Sequence, residues 1–361
     1  MRCGTGNGTP GVFVPFALAA GFSLLSTATM ASGPEIREFR DWRAGCDNVG
    51  HCTALSLPDD EDNAIAYLRL DRAAGADAPV RLVLRVLGDW KTVSVPLRLT
   101  LDGAAFPATA EAAQVGADSG TISLTFQPAE ASAFVAAARK ATQLSISTPD
   151  MTAHVSLSGS VAAMLWIDEQ QGRLDTPSTF IRKGSGSHVP VALALPAITA
   201  KVSDGVLADD AGKALAAAVR QEMLRRDSDL CEDEETLASL DEAWLLDGTR
   251  RLVGLACSRG AYNVTTGFWT VEGGDAATAQ PALFPSGAGE MMENMLVNAQ
   301  FDPKTGRLDF FSRGRGIGDC GAIGGYAWTG DGFVRTHFSM MGECRGIAPD
   351  DWIALYRSTA K

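Results

Sequence analysis

The residues of this chain that could do chemistry are its cysteines, its histidines and one arginine-glycine run. There are seven cysteines, and Cys3 stands apart near the start. The other six, Cys46, Cys52, Cys231, Cys257, Cys320 and Cys344, form an even set, as an exported chain that makes disulfides would have. Thiolate catalysis needs a free thiol of low pKa, and a fully paired set leaves none. Cys46 and Cys52 have five residues between them, not the two of a redox CxxC. Zinc wants close Cys/His pairs. His51-Cys52 is one such pair and no second follows it. No metal ligand, cofactor or catalytic residue is therefore expected.

The four histidines, His51, His154, His188 and His337, fall on separate elements. No serine has glycine two places away on both sides, so the serine-hydrolase nucleophile elbow is missing. An enzyme would need a triad assembled without a local motif. The acidic run 232–235 lacks the alternating oxygens and central glycine of a calcium loop. It suits a solvated face after a helix. Arg313-Gly314-Arg315-Gly316 offers a small anion site built from arginines and backbone N–H groups. The competing expectation is that the glycines permit a bend and the arginines pair with Asp319. Tyr326 and Trp328 could add an aromatic platform for a sugar or peptide, against plain core packing. The candidate ligand-binding set is thus Arg313, Arg315, Asp319, Tyr326 and Trp328.

These residues must be positioned by strands and turns. Cys320 and Cys344 bracket two apolar runs separated by Thr329-Gly330-Asp331-Gly332, a turn signal whose residues tolerate positive φ. A hairpin turning on Asp331-Gly332 puts the two cysteines one residue out of register, which a single bulge absorbs. Cys320 is therefore expected to pair with Cys344. Proximity pairs Cys46 with Cys52 across an Asp47-Asn48 and Gly50 turn. Cys231 is then left to Cys257, although the Asp247-Gly248 turn sets Cys257 opposite Ala238, so that pairing stays open.

Stretches with apolar residues at about every second position read as half-buried strands: 64–71, 80–87, 93–101, 120–126, 143–147 and 153–157. Pro96 marks an edge or bulge. Two helices are expected, at 129–140 and 159–171. The lead-in 33–38 is polar. Together 35–172 reads as a β-sandwich domain. The Gly-, Ser- and Pro-bearing stretch 173–200 reads as a linker. A second β-rich domain, 201–361, opens with the longest helix, 211–226, with Asp209 and Asp210 as N-cap candidates. Strands follow at 242–246, 251–257, 262–271, 290–301 and 307–312, and 352–357 is a final strand or helical turn. The fold class is mainly β with a few helices.

The chain carries 43 acidic and 31 basic side chains, a formal charge of −12. That sign disfavours nucleic acid and simple adsorption to anionic lipid. Val12 to Leu25 is apolar and uncharged, follows Arg2, and precedes small residues at Thr29-Met30-Ala31. This is a signal-peptide pattern, with cleavage expected near Ala31. The run is too short to span a bilayer comfortably, so no stable membrane insertion is expected after its removal. Removal takes Cys3 and leaves the six paired cysteines.

Several of these pieces occur together in a known order. Phe39, Asp41 and Trp42 precede Cys46-Asp47-Asn48 and Cys52. Asp168-Glu169-Gln170-Gln171-Gly172-Arg173 follows at the end of the first half. Then come Phe301-Asp302-Pro303, Arg313-Gly314-Arg315-Gly316, Gly318-Asp319-Cys320-Gly321, Tyr326 with Trp328, and Cys344-Arg345-Gly346. In this the chain resembles the bacterial domain-of-unknown-function family 1176. Where that family continues past Gln-Gly-Arg with small residues, this chain has Asp175-Thr176-Pro177. The first domain is also similar in layout to the invasion-associated locus B family of small exported β proteins. The resemblance implies an exported six-cysteine envelope protein and no particular activity. The expected role is binding or structural work at the envelope, on an envelope protein or small ligand. The alternatives are a hydrolase of envelope polymer or exported protein, and a periplasmic inhibitor or stress factor that binds one protein.

Overall fold

The computed structural model describes residues 35–59, 65–88, 94–95, 97–107, 113–115, 120–147, 151–187, 191–232, 234–287, 289 and 291–360. The expected signal segment with Cys3, and Pro96 and His188, lie outside them. The protein is mainly β with four α-helices among the described residues.

An eight-stranded antiparallel sheet runs in the order Ile36–Phe39, Trp42–Cys46, Cys52–Ser56, Ile65–Arg72, Val80–Leu87, Thr121–Thr125, Ala113–Val115, Ser94–Val95. A four-stranded sheet, Thr152–Ser156, Gln143–Ser147, Arg98–Leu101, Ala104–Phe106, faces it across a core that includes Leu68, Leu84, Leu99 and Leu144. Helices α1 (Pro128–Ala138) and α2 (Ser160–Gln170) close the same core with Phe134, Val135 and Ile167. The continuous strand expected over 93–101 is two strands in two sheets. The polar lead-in is also a strand: Arg40, at φ 55, turns Ile36–Phe39 back onto Trp42–Cys46.

Helix α3 (Asp209–Arg226) starts two residues earlier than expected, with Ala208 at the N-cap. Asp209 and Asp210 therefore lie inside its first turn, where carboxylates favour the positive end of the dipole. The turn α4 (Glu235–Ala238) follows. Leu215, Val219 and Met223 of α3 cover one face of a sheet built on Arg250–Arg259 and Val264–Glu272. The single strand expected over 290–301 is three short ones, Met292–Glu293, Met295–Val297 and Ala299–Asp302. Asn298 breaks the last two apart, in left-handed conformation at φ 48. Its Nδ2 donates to Phe311 O at 2.9 Å and its Oδ1 accepts from Val264 N at 2.8 Å.

The last sheet is a meander: Ala299–Asp302, Arg307–Arg313, Gly321–Trp328, Phe333–Met341, Ile353–Arg357. Trp328 faces Phe333, so its central hairpin turns on Gly330-Asp331 and not on Asp331-Gly332. The one expected bulge occurs where the register shifts between Gly325 and Tyr326, leaving Thr336 as the extra residue. The ladder ends at Gly321 opposite Met341, and the corner 342–344 brings Cys344 to Cys320, with Cα atoms 4.7 Å apart.

The described residues belong to one compact unit. Leu55, Leu57 and Tyr67, on the outer face of the first sheet, share a core with Trp352, Ile353 and Leu355. Gly45 permits this approach, since a Cβ there would come within 2.7 Å of Ile353 Cγ2. The strands of the first sheet that lie in this seam are therefore not half-exposed. Cys52–Ser56 is buried at all five positions.

Candidate functional site

The seam between the first sheet and the last is polar where it is not apolar. Tyr67, Arg69 and Asp71 alternate with the apolar Ala66, Leu68 and Leu70, so they share the outer face. Tyr67 Oη donates to Asp351 Oδ2 at 2.8 Å and Arg85 Nε donates to the same oxygen at 2.9 Å. Burial, then the Asp351 charge, raises the Tyr67 hydroxyl pKa. Asp71 accepts from Thr53 Oγ1 at 2.7 Å and from Arg69 Nε at 2.8 Å, with His51 Nε2 at 3.6 Å. Burial alone would raise the Asp71 carboxyl. The His51 ring close by, the Arg69 hydrogen bonds and the Arg69 charge outweigh it and hold it far below the usual range. His51 and Asp71 would be two members of a triad, but the neighbouring hydroxyl, Thr53, donates to Asp71 instead. His154 Nδ1 lies 3.1 Å from Ser145 Oγ, and His337 Nδ1 lies 3.1 Å from Thr336 Oγ1.

The arginine-glycine run is a surface loop beside the Cys320–Cys344 disulfide. Arg315 Nε donates to Asp319 Oδ1 at 2.7 Å, and Gly346 N donates to Oδ2 at 2.6 Å. The Arg315 hydrogen bond lowers the Asp319 carboxyl pKa against the opposing effect of burial. Arg313 is exposed and lies over the Phe311 ring, 5.1 Å from its centroid. Tyr326 and Trp328 are elsewhere: 1% and 2% exposed, inside the shared core. Tyr326 packs on Phe284 and donates to Pro285 O at 2.8 Å, and Trp328 packs on Phe333. The structure brings Arg315 and Asp319 together and leaves the two aromatics out of their reach. Asp319 also lies beside Cys320 and Cys344 as a nominal metal trio, but both sulfurs are used by their mutual bond.

The end of α2 builds a different site. Asp168, fully buried, accepts from Thr179 Oγ1 and from the backbone N–H groups of Phe180 at 2.8 Å and Ile181 at 3.2 Å. Gln171 Nε2 donates to Gly50 O at 2.8 Å and Arg72 O at 2.9 Å. Arg173, also fully buried, donates to Gln171 Oε1 at 2.8 Å, Ala73 O at 3.1 Å and Ser178 Oγ at 3.2 Å. The motif Asp168 to Arg173 thus pins two loops, 73–76 and 178–181. Between them, the last residue of strand Ile65–Arg72 turns into the core. Arg72 is 5% exposed and lies 4.5 Å from the Phe180 ring centroid. Its Nη1 is 3.7 Å from Asp168, and its Nε and Nη1 make no hydrogen bond. Burial, then the Arg173 charge, pulls its pKa down to about 10. Arg72, Phe180, Val80, Val135, Arg139 and Lys183 help line a cavity of about 280 Å³. A larger one, about 390 Å³, lies between the start of α3 and Glu242–Leu245. Its charges are mixed, Asp209 and Glu242 with Lys213, and Lys213 already donates to Asp241 O at 2.6 Å.

The Arg72 cavity was not legible before folding. The only signal was an arginine at a core-facing position of an alternating strand, far in sequence from the Asp168 motif.

The fold and its three cross-links, Cys46–Cys52, Cys231–Cys257 and Cys320–Cys344, define a mainly β, disulfide-stapled protein. The family model described as "Protein of unknown function (DUF1176)" matches residues 36–359, and the chain belongs to that family. It is similar to the uncharacterized protein YpfG of Escherichia coli (strain K12), 27% identical over 351 residues, 93% of this chain and 96% of that protein. No solved structure matches the chain.

Proposed function

We propose that the chain is an exported cell-envelope protein whose role is binding or structural, not catalytic. The observation that carries this is the fate of its thiols: all six described cysteines are in disulfides, as suits an oxidising compartment. On this proposal the segment 1–31 is a signal peptide and the mature protein works in the periplasm or outside the cell. The residues 35–172 and 201–361 are then two β-rich domains, joined through 173–200, that pack on a shared core as one compact unit. Its partner is an envelope protein or a small ligand, with Arg313 an exposed cation of the arginine-glycine loop. No helix among the described residues is long and apolar enough to cross a membrane. The non-catalytic half draws on the closed carboxylate sets. Asp71, Asp319 and Asp351 are each held by an arginine and at least one further donor.

Intact-mass analysis of the native protein tests export. The expected species lacks Cys3 and carries no reduced thiol. A mature protein that retains Cys3, or that has free thiols when isolated under alkylation, would sink the proposal.

A further inference from the structure

We propose that the cavity walled by Arg72 and Phe180 binds a small organic anion: a carboxylate or phosphomonoester head on a short apolar body. This rests on the binding half of the function proposed above and not on the compartment.

Charge is the first argument. Among the described residues the lining includes Arg72, Arg139 and Lys183 and no aspartate or glutamate. Two buried guanidiniums, Arg72 and Arg173, feel the charge of one buried carboxylate, Asp168, which stands as an ion-pair partner to Arg72 alone of the two. Arg173 is satisfied by neutral oxygens. Asp168 is occupied by Thr179 and backbone N–H groups, so Arg72 stands off at 3.7 Å. A buried charge in that condition is costly unless something else pairs it. The Phe180 contact does not serve, because a ring face attracts the cation but leaves Nε and Nη1 without hydrogen bonds; both are sealed from the cavity, so an anion there meets Arg72 as a charge and not through those two N–H groups. Arg139 sits at the C-cap of α1, where the helix dipole alone could account for it. No such account covers Arg72.

Size is the second. A bare oxyanion displaces only a few waters of about 30 Å³ each, so a 280 Å³ cavity has room for an organic body. Val80, Val135 and Phe180 supply apolar wall for it. Rigidity is the third. The walls are held by the Asp168, Gln171 and Arg173 hydrogen bonds, so little ordering is left for the ligand to drive.

The test is calorimetric titration of the oxidised protein at neutral pH with benzoate, phenyl phosphate, inorganic phosphate and uncharged benzyl alcohol. Benzoate or phenyl phosphate should bind, and the tighter of the two identifies the head group. Inorganic phosphate should bind more weakly than the better organic anion, and benzyl alcohol about tenfold more weakly or worse. Arg72→Gln should cost about tenfold or more in anion affinity. Arg139→Gln with Lys183→Gln, both at exposed positions, should cost about two- to fivefold. If Arg72→Gln fails to fold, the exposed pair decides. The proposal is overturned if neither organic anion binds, if benzyl alcohol binds as well, or if anion affinity is unchanged in the folded variants. A protein found unprocessed and reduced in the cell that still binds benzoate would end the export proposal and leave this cavity standing.

Discussion

Two arginine–aspartate pairs in this protein join the same two side-chain types and behave differently in space. Arg315 and Asp319 form a forked ion pair, one cation to one carboxylate, with the Arg315 side chain 47% exposed. Arg72 and Asp168 are both buried, yet they stand 3.7 Å apart and share no hydrogen bond. At Asp319 the carboxylate closes on its own arginine and on one backbone N–H across the disulfide corner. At Asp168 the backbone of 180–181 and Thr179 reach the carboxylate first. What decides the outcome is competition for the carboxylate. A closed pair staples a loop, while a crowded carboxylate leaves cationic surplus at a cavity wall.

The largest effect expected from this comparison is at Asp168. Asp168→Ala removes the acceptor for Thr179, Phe180 and Ile181 and takes away the carboxylate that faces the buried Arg72 guanidinium. Breaking a buried pair from one side costs about 3–5 kcal/mol. Urea denaturation of the oxidised protein should show a loss in that range. A loss no larger than that of Asp319→Ala would remove the distinction between the two pairs.

The second expectation is a pH profile at Asp319. Its carboxyl pKa is lowered in the folded protein, chiefly by the Arg315 hydrogen bond with burial opposing. A depressed folded pKa gives stability that is present above the unfolded value, about 4, and is lost as pH falls through the folded one. The stability advantage of the wild type over Asp319→Asn should therefore be flat from about pH 8 to 5 and shrink below about pH 4. Thermal melts across that range read it directly. An advantage that grows on acidification would mean that the pair does not hold the carboxylate charged.

Much of this was visible in the chain before it was folded. Period-two alternation placed the strands Val80–Leu87 and Gln143–Ser147 to the residue, because each strand buries one full face. Composition and a four-residue turn pointed to the Cys320–Cys344 bond. The strand Ile36–Phe39 was missed because its polar residues gain their strand from a partner, not from propensity. The break at Asn298 was missed because its cause is a side chain hydrogen-bonded across three strands. Arg315 with Asp319 was legible, being four residues apart. Arg72 with Asp168 was not, since the surplus charge exists only after 168–181 has folded around the carboxylate. Local spacing shows pairs; it does not show which groups compete for them.

The smallest effect should come from Arg315, and it is the one that sharpens the comparison most. Asp319 keeps Gly346 N as a donor when Arg315 is removed, and the arginine itself is half in water. An exposed partner of this kind contributes about 1 kcal/mol or less. Arg315→Ala should therefore shift the urea midpoint slightly and leave benzoate or phenyl phosphate affinity unchanged. Arg315→Lys keeps the charge but loses the planar fork, so it should recover only part of that small loss. If Arg315→Ala instead weakens anion binding while Arg139→Gln with Lys183→Gln does not, the anion site lies on the arginine-glycine loop. The roles of the two arginine–aspartate pairs would then be reversed.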